Sequence, residues 1–329
     1  MKFSIIIPLY NKAQYIQKVL ESVFSQTYTD YELIIVDDGS TDGSFAIAKQ
    51  FIDERLKFKG LEDEKAANQS YNLSPINYKL IRQANSGVSA ARNNAVAQSH
   101  GEYIAFLDAD DWWEYTYLER MAQLITDYPD AGLYASNYYY YKDGRKMVRL
   151  KGVSTGYINY PKTYFEVFAM PVWTGAAIVP RVVFENVNGF NSQLWMSEDF
   201  DLWIRISLRY RVVFLNELLA YYNQDVQLKW RALGKLYPPH RQFAFNADYL
   251  LPFQKENEDV RHVVDMVKIL CLKQYYISNN YHELAKKELS KIDLKDYKNK
   301  FYASYIWQPL LKLKIDNVIC NIYKILKNK

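Results

Sequence analysis

Glycine-rich phosphate cradles are missing from this 329-residue chain. No Gly-x-Gly-x-x-Gly follows an apolar run, and no Gly-x-x-x-x-Gly-Lys occurs, so a phosphate ligand has to be held by side chains or a metal. Cysteine is nearly absent too. Cys271 and Cys320 are the only two, far apart, which excludes a thiolate metal centre or a Cys-x-x-Cys redox pair and fits a reducing compartment. No stretch approaches the roughly 18 uninterrupted apolar residues of a spanning helix. The apolar run Phe3–Leu9 is interrupted by Pro8 and is too short for a signal peptide. Charge of one sign is not in excess: 41 basic against 37 acidic side chains give a net +4, too little for a nucleic-acid surface. No internal repeat is visible. These absences lead to the expectation of a cytoplasmic protein that is not integral to a membrane and has no nucleic-acid partner.

Aromatic residues are plentiful, with 30 Tyr in an aromatic content of 16%. Tyr fills strands and helix faces, and its flat ring also stacks on sugars or bases. Apolar periodicity predicts alternating strands and helices in the first part of the chain. Strands are expected at Phe3–Ile7, Leu33–Val36, Tyr78–Ile81 and Tyr103–Leu107. Helices are expected from Asn11 as N-cap through Val23, at Thr41–Phe51 and at Ser89–Gln98. Such alternation implies a mostly parallel sheet with right-handed crossovers. Residues 54–77 read as a polar excursion. Further on, a helix is expected at Leu118–Tyr128, a strand at Gly132–Tyr141, irregular chain over 142–175, a helix at Glu198–Tyr210 and a short strand at Val212–Leu215. From about residue 231 only helical spacing remains.

Two acidic clusters follow buried strands. Val36-Asp37-Asp38-Gly39-Ser40-Thr41-Asp42 comes after Tyr31–Ile35, and Asp108-Ala109-Asp110-Asp111 comes after Tyr103–Leu107. Carboxylates at the carboxyl ends of such strands face the ligand crevice of an open α/β sheet. An Asp-x-Asp triplet holds a hard divalent cation, which usually takes substrate phosphates as well. The pair of clusters therefore points to a metal-bound nucleoside diphosphate.

The order of elements is specific. Ile7-Pro8-Leu9-Tyr10-Asn11, Val36–Asp42, Asn85-Ser86-Gly87 with Ala91-Arg92-Asn93, Asp108–Asp111 and Glu198-Asp199 together resemble the family-2 inverting glycosyltransferases of the GT-A fold. The resemblance is close over 3–113 and resumes loosely over 174–215. It implies a GT-A type domain over 1–230, with a nucleotide-binding half at 1–113 and an acceptor half at 114–230. A helical region at 231–329 follows.

The resemblance also implies roles. Pro8 and Tyr10 would flank the nucleobase, Asp38 would accept a hydrogen bond from it, and Asp37 would support that loop. Arg92 would lie near the nucleotide, Asp108 at the ribose or metal, and Asp110 on Mg2+ or Mn2+. Asp199 would be the catalytic base. Apart from the resemblance, Trp173, Trp195 and Glu198 are candidates for contact with donor sugar or acceptor. The expected donor is a nucleotide sugar, most simply a UDP-sugar. The expected acceptor is a glycan or lipid-linked glycan of surface polysaccharide assembly.

Processive members carry Gln-x-x-Arg-Trp; here Gln227-Leu228-Lys229-Trp230-Arg231 reverses the last two residues, so a non-processive enzyme is expected. A nucleotidyltransferase and a non-catalytic glycan- or nucleotide-binding protein are the alternatives. Pro309–Lys329 combines an apolar stripe (Leu311, Ile315, Val318, Ile319, Ile322, Leu326) with lysines, which suggests peripheral contact with the inner face of the membrane.

Overall fold

The computed structural model describes residues 2–62, 77–226, 236–314 and 316–317. The chain divides into two compact units, Met1–Arg231 and Ala232–Lys329.

The first unit is built on one mixed sheet. Its strands are β1 (Phe3–Leu9), β2 (Tyr31–Asp37), β3 (Asn77–Arg82), β4 (Tyr103–Phe106), β5 (Trp112–Trp113), β6 (Ala131–Lys142), β7 (Arg145–Met147), β8 (Gly156–Ile158), β9 (Ala177–Pro180) and β10 (Arg211–Asn223). Their main order is β3-β2-β1-β4-β9-β6-β10-β5. Strands β3, β2, β1 and β4 are mutually parallel, as are β6 and β10. Strand β9 runs antiparallel between β4 and β6 and joins the two parallel groups.

β1 and β2 are buried along their whole lengths, as expected of central parallel strands covered on both faces. Helices α1 (Ile16–Phe24), α2 (Ser44–Glu62) and α3 (Val88–Ala97) form the crossovers. α1 buries Ile16, Val19, Leu20 and Val23, the stripe that the 3.6-residue period marks out. Sequence order reverses between β1 and β4, the place where an open α/β sheet leaves a crevice. Pro8 helps to open it. Pairing of β1 with β4 stops at Ile6–Phe106, and the Ile6 carbonyl accepts from Leu107 N. Residues two apart face the same neighbour, so Pro8 lacks its N–H on the side where β4 has already diverged.

Several expectations are corrected. Asn11 does not cap α1. It takes a left-handed conformation, φ 51°, and its Oδ1 accepts from Thr41 N at 2.8 Å, tying the β1 loop to the β2 loop. α2 continues to Glu62, so the polar excursion begins inside a helix; residues 63–76 lie outside the described ones. The stretch 142–175 is not irregular. It holds β7, β8, α5 (Tyr160–Val167) and part of the turn Thr174–Ala176. β10 has 13 residues rather than four, because register shifts near Leu215 and Leu218 interrupt its apolar alternation. Helices α4 (Tyr117–Asp127), α6 (Arg181–Asn186) and α7 (Glu198–Ser207) complete the unit.

The second unit is helical, with α8 (Leu251–Glu256), α9 (Glu258–Ile277), α10 (His282–Leu289) and 3-10 turns. Asn257 caps α9 by accepting from Asp259 N and Val260 N. Val260, Val263, Val264 and Val267 are buried as their spacing requires, while Leu270 is exposed. No helix among the described residues is long and apolar enough to cross a membrane. Most of Pro309–Lys329 lies outside the described residues.

Candidate active site

The crevice is framed by the loops after β1, β2, β3 and β4. The first two are stitched together. Asn11 N donates to Ser40 Oγ at 3.0 Å, Lys12 N to Ser44 Oγ at 2.8 Å and Ala13 N to Asp42 Oδ2 at 3.0 Å. The run Asp37–Ser44 thus serves as a set of acceptors for backbone N–H groups of the first loop. Pro8 is buried at the end of β1, and Tyr10 is 43% exposed at the rim.

Asp37 is fully buried. Its Oδ1 accepts from Ser40 N, and its Oδ2 lies 3.1 Å from Arg82 Nε. Asp38, also buried, accepts three hydrogen bonds: Gln83 Nε2 and Ser86 N on Oδ1, both at 2.8 Å, and Gly87 N on Oδ2 at 2.9 Å. Asp38 therefore shapes the Asn85-Ser86-Gly87 loop, and one lone-pair direction of its carboxylate remains for a ligand. Gly87 has φ 90° and ψ 159°, a region essentially reserved for glycine. A Cβ there would lie 3.0 Å from Trp195 Nε1, so the half-buried indole packs directly on the loop that Asp38 organises.

α3 carries Ala91-Arg92-Asn93 and joins both halves of the site. Asn93 holds the backbone of Phe190 in both directions, accepting from its N and donating to its O. Ser89 Oγ donates to Leu194 O. Arg92 is 3% exposed. Its guanidinium donates to Asp108 Oδ1 at 2.6 Å and to Glu198 Oε1 at 3.0 Å, and it lies over the Phe190 ring. Arg92 is the common counter-ion of these two acidic residues. Burial opposes its charge, but Asp108 and Glu198 outweigh that and hold the guanidinium protonated.

The acids differ in what they face. Asp110 Oδ2 meets Lys12 Nζ at 2.6 Å. Burial raises its pKa, Lys12 opposes the rise and Asp108 adds to it. Asp111 is buried and accepts from Asn223 N at 2.7 Å, anchoring the end of β10. Burial and the charges of Asp110 and Asp108 push its pKa well up. Burial and the adjacent Asp199 raise Glu198 to about 7 despite Arg92. Asp199 is also raised by burial, with its own Oδ1 accepting from Phe200 N at 2.7 Å. Asp201 instead pairs with Arg205, which in turn donates to the carbonyls of Val187 and Gly189.

Among the described residues, no group of three or more His, Cys, Asp or Glu side chains is arranged to hold a metal ion. The donor set nevertheless fits a hard cation. Asp108 and Asp110 offer oxygen ligands, and the Lys12 ammonium already occupies the place of a cation on Asp110. Divalent cations at phosphate-transfer sites take one or two carboxylates and complete their shell with substrate phosphates and water.

Two residues stand apart from the sequence expectation. Trp173 is 3% exposed, with its ring against Tyr138 and Tyr222; its surroundings are those of a core residue. Lys12 was not singled out, although it directly follows the Ile7–Asn11 element. Its partner lies 98 residues away, and no local signal announces the pair. A cleft of about 190 Å³ adjoins Asp110 and is lined by Tyr15, Lys18, Trp112 and Tyr141. A larger one, about 560 Å³, lies beside Arg181 and Phe184 and includes none of the acidic clusters.

Residues 4–179 match the family model described as Glycosyl transferase family 2, more than half the chain. The chain belongs to that family. The match runs through 114–173, where the sequence elements lapse. The family-2 chain is 33% identical over 165 residues to the glycosyltransferase GlyA of Streptococcus pneumoniae, covering 50% of this chain and 20% of GlyA. It is 36% identical over 126 residues to TuaG of Bacillus subtilis, named for teichuronic acid biosynthesis, covering 38% of this chain and 42% of TuaG. It is 23% identical to GlyG of Streptococcus pneumoniae over 87% of this chain and 91% of GlyG. It thus spans less than half the length of GlyA and TuaG. In fold it is similar to Staphylococcus aureus TarS 1-349, with a TM-score of 0.59 at 19% identity over 96% of this chain and 80% of that one. The GT-A architecture expected from the sequence is therefore the one observed.

Proposed function

We propose that this family-2 chain transfers a sugar from a nucleotide-sugar donor to an acceptor hydroxyl, with inversion and with the help of a divalent cation. The observation that carries the proposal is the Arg92 bridge. One buried guanidinium joins Asp108, after β4, to Glu198, at the start of α7, and so brings the Asp-x-Asp element beside the Glu-Asp pair. Asp110, with Asp108, would hold the cation. When bound, that cation supplies neutralising charge for the departing diphosphate. Lys12 would then be available as a further positive charge for phosphate oxygens.

Asp199 is the proposed base. The acceptor hydroxyl is a weak nucleophile at neutral pH, and a positioned carboxylate takes its proton as the oxygen attacks the anomeric carbon from the face opposite the leaving group. One displacement inverts the centre and forms no covalent intermediate. Asp38 and Tyr10 would receive the base, with Asp37 and Pro8 shaping their loops. Trp195 would close the donor-sugar side. A UDP-sugar is the proposed donor; TarS structures were determined with UDP and with UDP-GlcNAc. A surface-polysaccharide or lipid-linked glycan is the proposed acceptor class, TuaG being named for teichuronic acid biosynthesis.

The test is a panel of nucleotide sugars with Mn2+ or chelator, scored for nucleoside diphosphate release and for the anomeric configuration of the product by NMR. Metal-dependent turnover of one donor with inversion is expected. Retention of configuration refutes the single displacement, and binding without any turnover across donors and acceptors favours a non-catalytic protein.

A further inference from the structure

The segment Phe301–Trp307 of the second unit is a 3-10 helix, in which side chains three apart eclipse one another. Its burial follows that period. Tyr302, Ala303 and Tyr305 point inward, and the Tyr305 hydroxyl donates to Ile269 O on α9. Phe301, Ser304 and Trp307 point outward, with Phe301 70% and Trp307 45% exposed. Beyond the extended Gln308 and Pro309, Leu311 is 71% exposed. The short helix with buried tyrosines on one side thus offers Phe301 and Trp307 on the other, and Leu311 is exposed on the helical segment that follows Pro309; exposed large apolar side chains grouped in this way are informative.

The sequence flanking this ridge is rich in lysine. Lys298 and Lys300 precede it, and Lys312 and Lys314 follow. Over Lys298–Lys329 the sequence has seven lysines and one acidic residue, Asp316. A partner suited to these side chains is apolar just beneath a negatively charged surface. Trp and Phe settle at the boundary of headgroups and acyl chains, and flanking lysines reach anionic headgroups. We infer that Phe301, Trp307 and Leu311, with the flanking lysines, seat the second unit on an anionic lipid bilayer as a peripheral contact. The inference is independent of the proposed catalytic roles, because none of these residues belongs to the site.

Flotation of the full chain with phosphatidylglycerol vesicles and with phosphatidylcholine vesicles tests it. Wild type should float with the first and not the second, and high salt should release it, since screening weakens lysine–headgroup attraction. Phe301→Ser with Trp307→Ser should lose flotation while keeping the wild-type melting temperature and sugar transfer to a water-soluble acceptor. Lys298, Lys300, Lys312 and Lys314 all →Gln should lose the preference for phosphatidylglycerol. Failure of wild type to float, or equal flotation by the Phe301/Trp307 variant, overturns the inference. So does a change of oligomeric state in that variant without a change in vesicle binding, which would make the ridge a contact between copies of the chain.

Discussion

Arg92 Nη1 donates to Glu198 Oε1 at 3.0 Å, across 106 residues of sequence. The same guanidinium holds Asp108, so a single cation sets the spacing between the end of β4 and the start of α7. Removing it leaves two carboxylates facing each other in a poorly hydrated place. Arg92→Met should destabilise the first unit by about 3–5 kcal/mol, the range for breaking a buried ion pair from one side. Arg92→Lys should recover only part of this, because an ammonium cannot present two divergent donors as a guanidinium does. Urea unfolding measures both; a loss under about 1 kcal/mol in Arg92→Met would show that the bridge does not organise the site.

Glu198 makes stability depend on pH. In the folded chain its carboxyl titrates near 7, against an ordinary 4.5. Below about 4.5 it is protonated in both states, and above about 7 it is ionised in both. Between these limits the folded chain keeps a proton that the unfolded chain has released, so this group's stabilising contribution falls as pH rises. The unfolding free energy of wild type relative to Glu198→Gln should therefore decline from pH 4.5 to 7 and level off above. A difference that stays flat over that window refutes the raised pKa.

Asp199→Asn keeps the shape of the side chain and removes the proton acceptor. Turnover should fall by roughly 10²–10⁴, the usual contribution of a positioned base, with UDP affinity unchanged. Paired kcat and calorimetric measurements decide. Near-normal kcat rules out Asp199 as the base. Loss of both rate and affinity makes Asp199 a support of the site.

Asp110→Ala should abolish the part of UDP binding that depends on a divalent cation and leave the fold intact. Calorimetry with Mn2+ and with chelator checks this. Equal UDP affinity in both conditions for wild type would remove the cation from the mechanism.

Gly87→Ala tests the loop that Asp38 builds. The backbone at this position is outside the range of ordinary L-residues, and the added methyl meets the Trp195 indole. A cost of about 1–3 kcal/mol is expected, with a higher KM for the donor from displacement of the loop. Thermal unfolding and donor KM read the two effects separately, and an unchanged KM would place Trp195 and this loop outside the donor site.

What the sequence by itself determined is local. β1, β2 and β4 announce themselves because buried parallel strands are short unbroken apolar runs. Asp37-Asp38 and Asp108–Asp111 announce themselves because each cluster follows directly on such a run. α1 and α9 were legible from valines, leucines and isoleucines at helical spacing. Less regular elements were not. β7 and β8 have three residues each, and β10 loses its alternation at its register shifts. What only the tertiary structure decided is which distant groups meet. Lys12 finds Asp110, and Asp38 holds the loop at Gly87. Asn93 clamps Phe190, and Arg92 joins Asp108 to Glu198. Trp173 lies among Tyr138 and Tyr222 in the core. The physical reason is common to all of these. A charge or hydrogen-bond partner is chosen by the crossing of chain segments around the β1–β4 crevice, where burial makes a missing partner costly, and separation along the chain does not record that crossing.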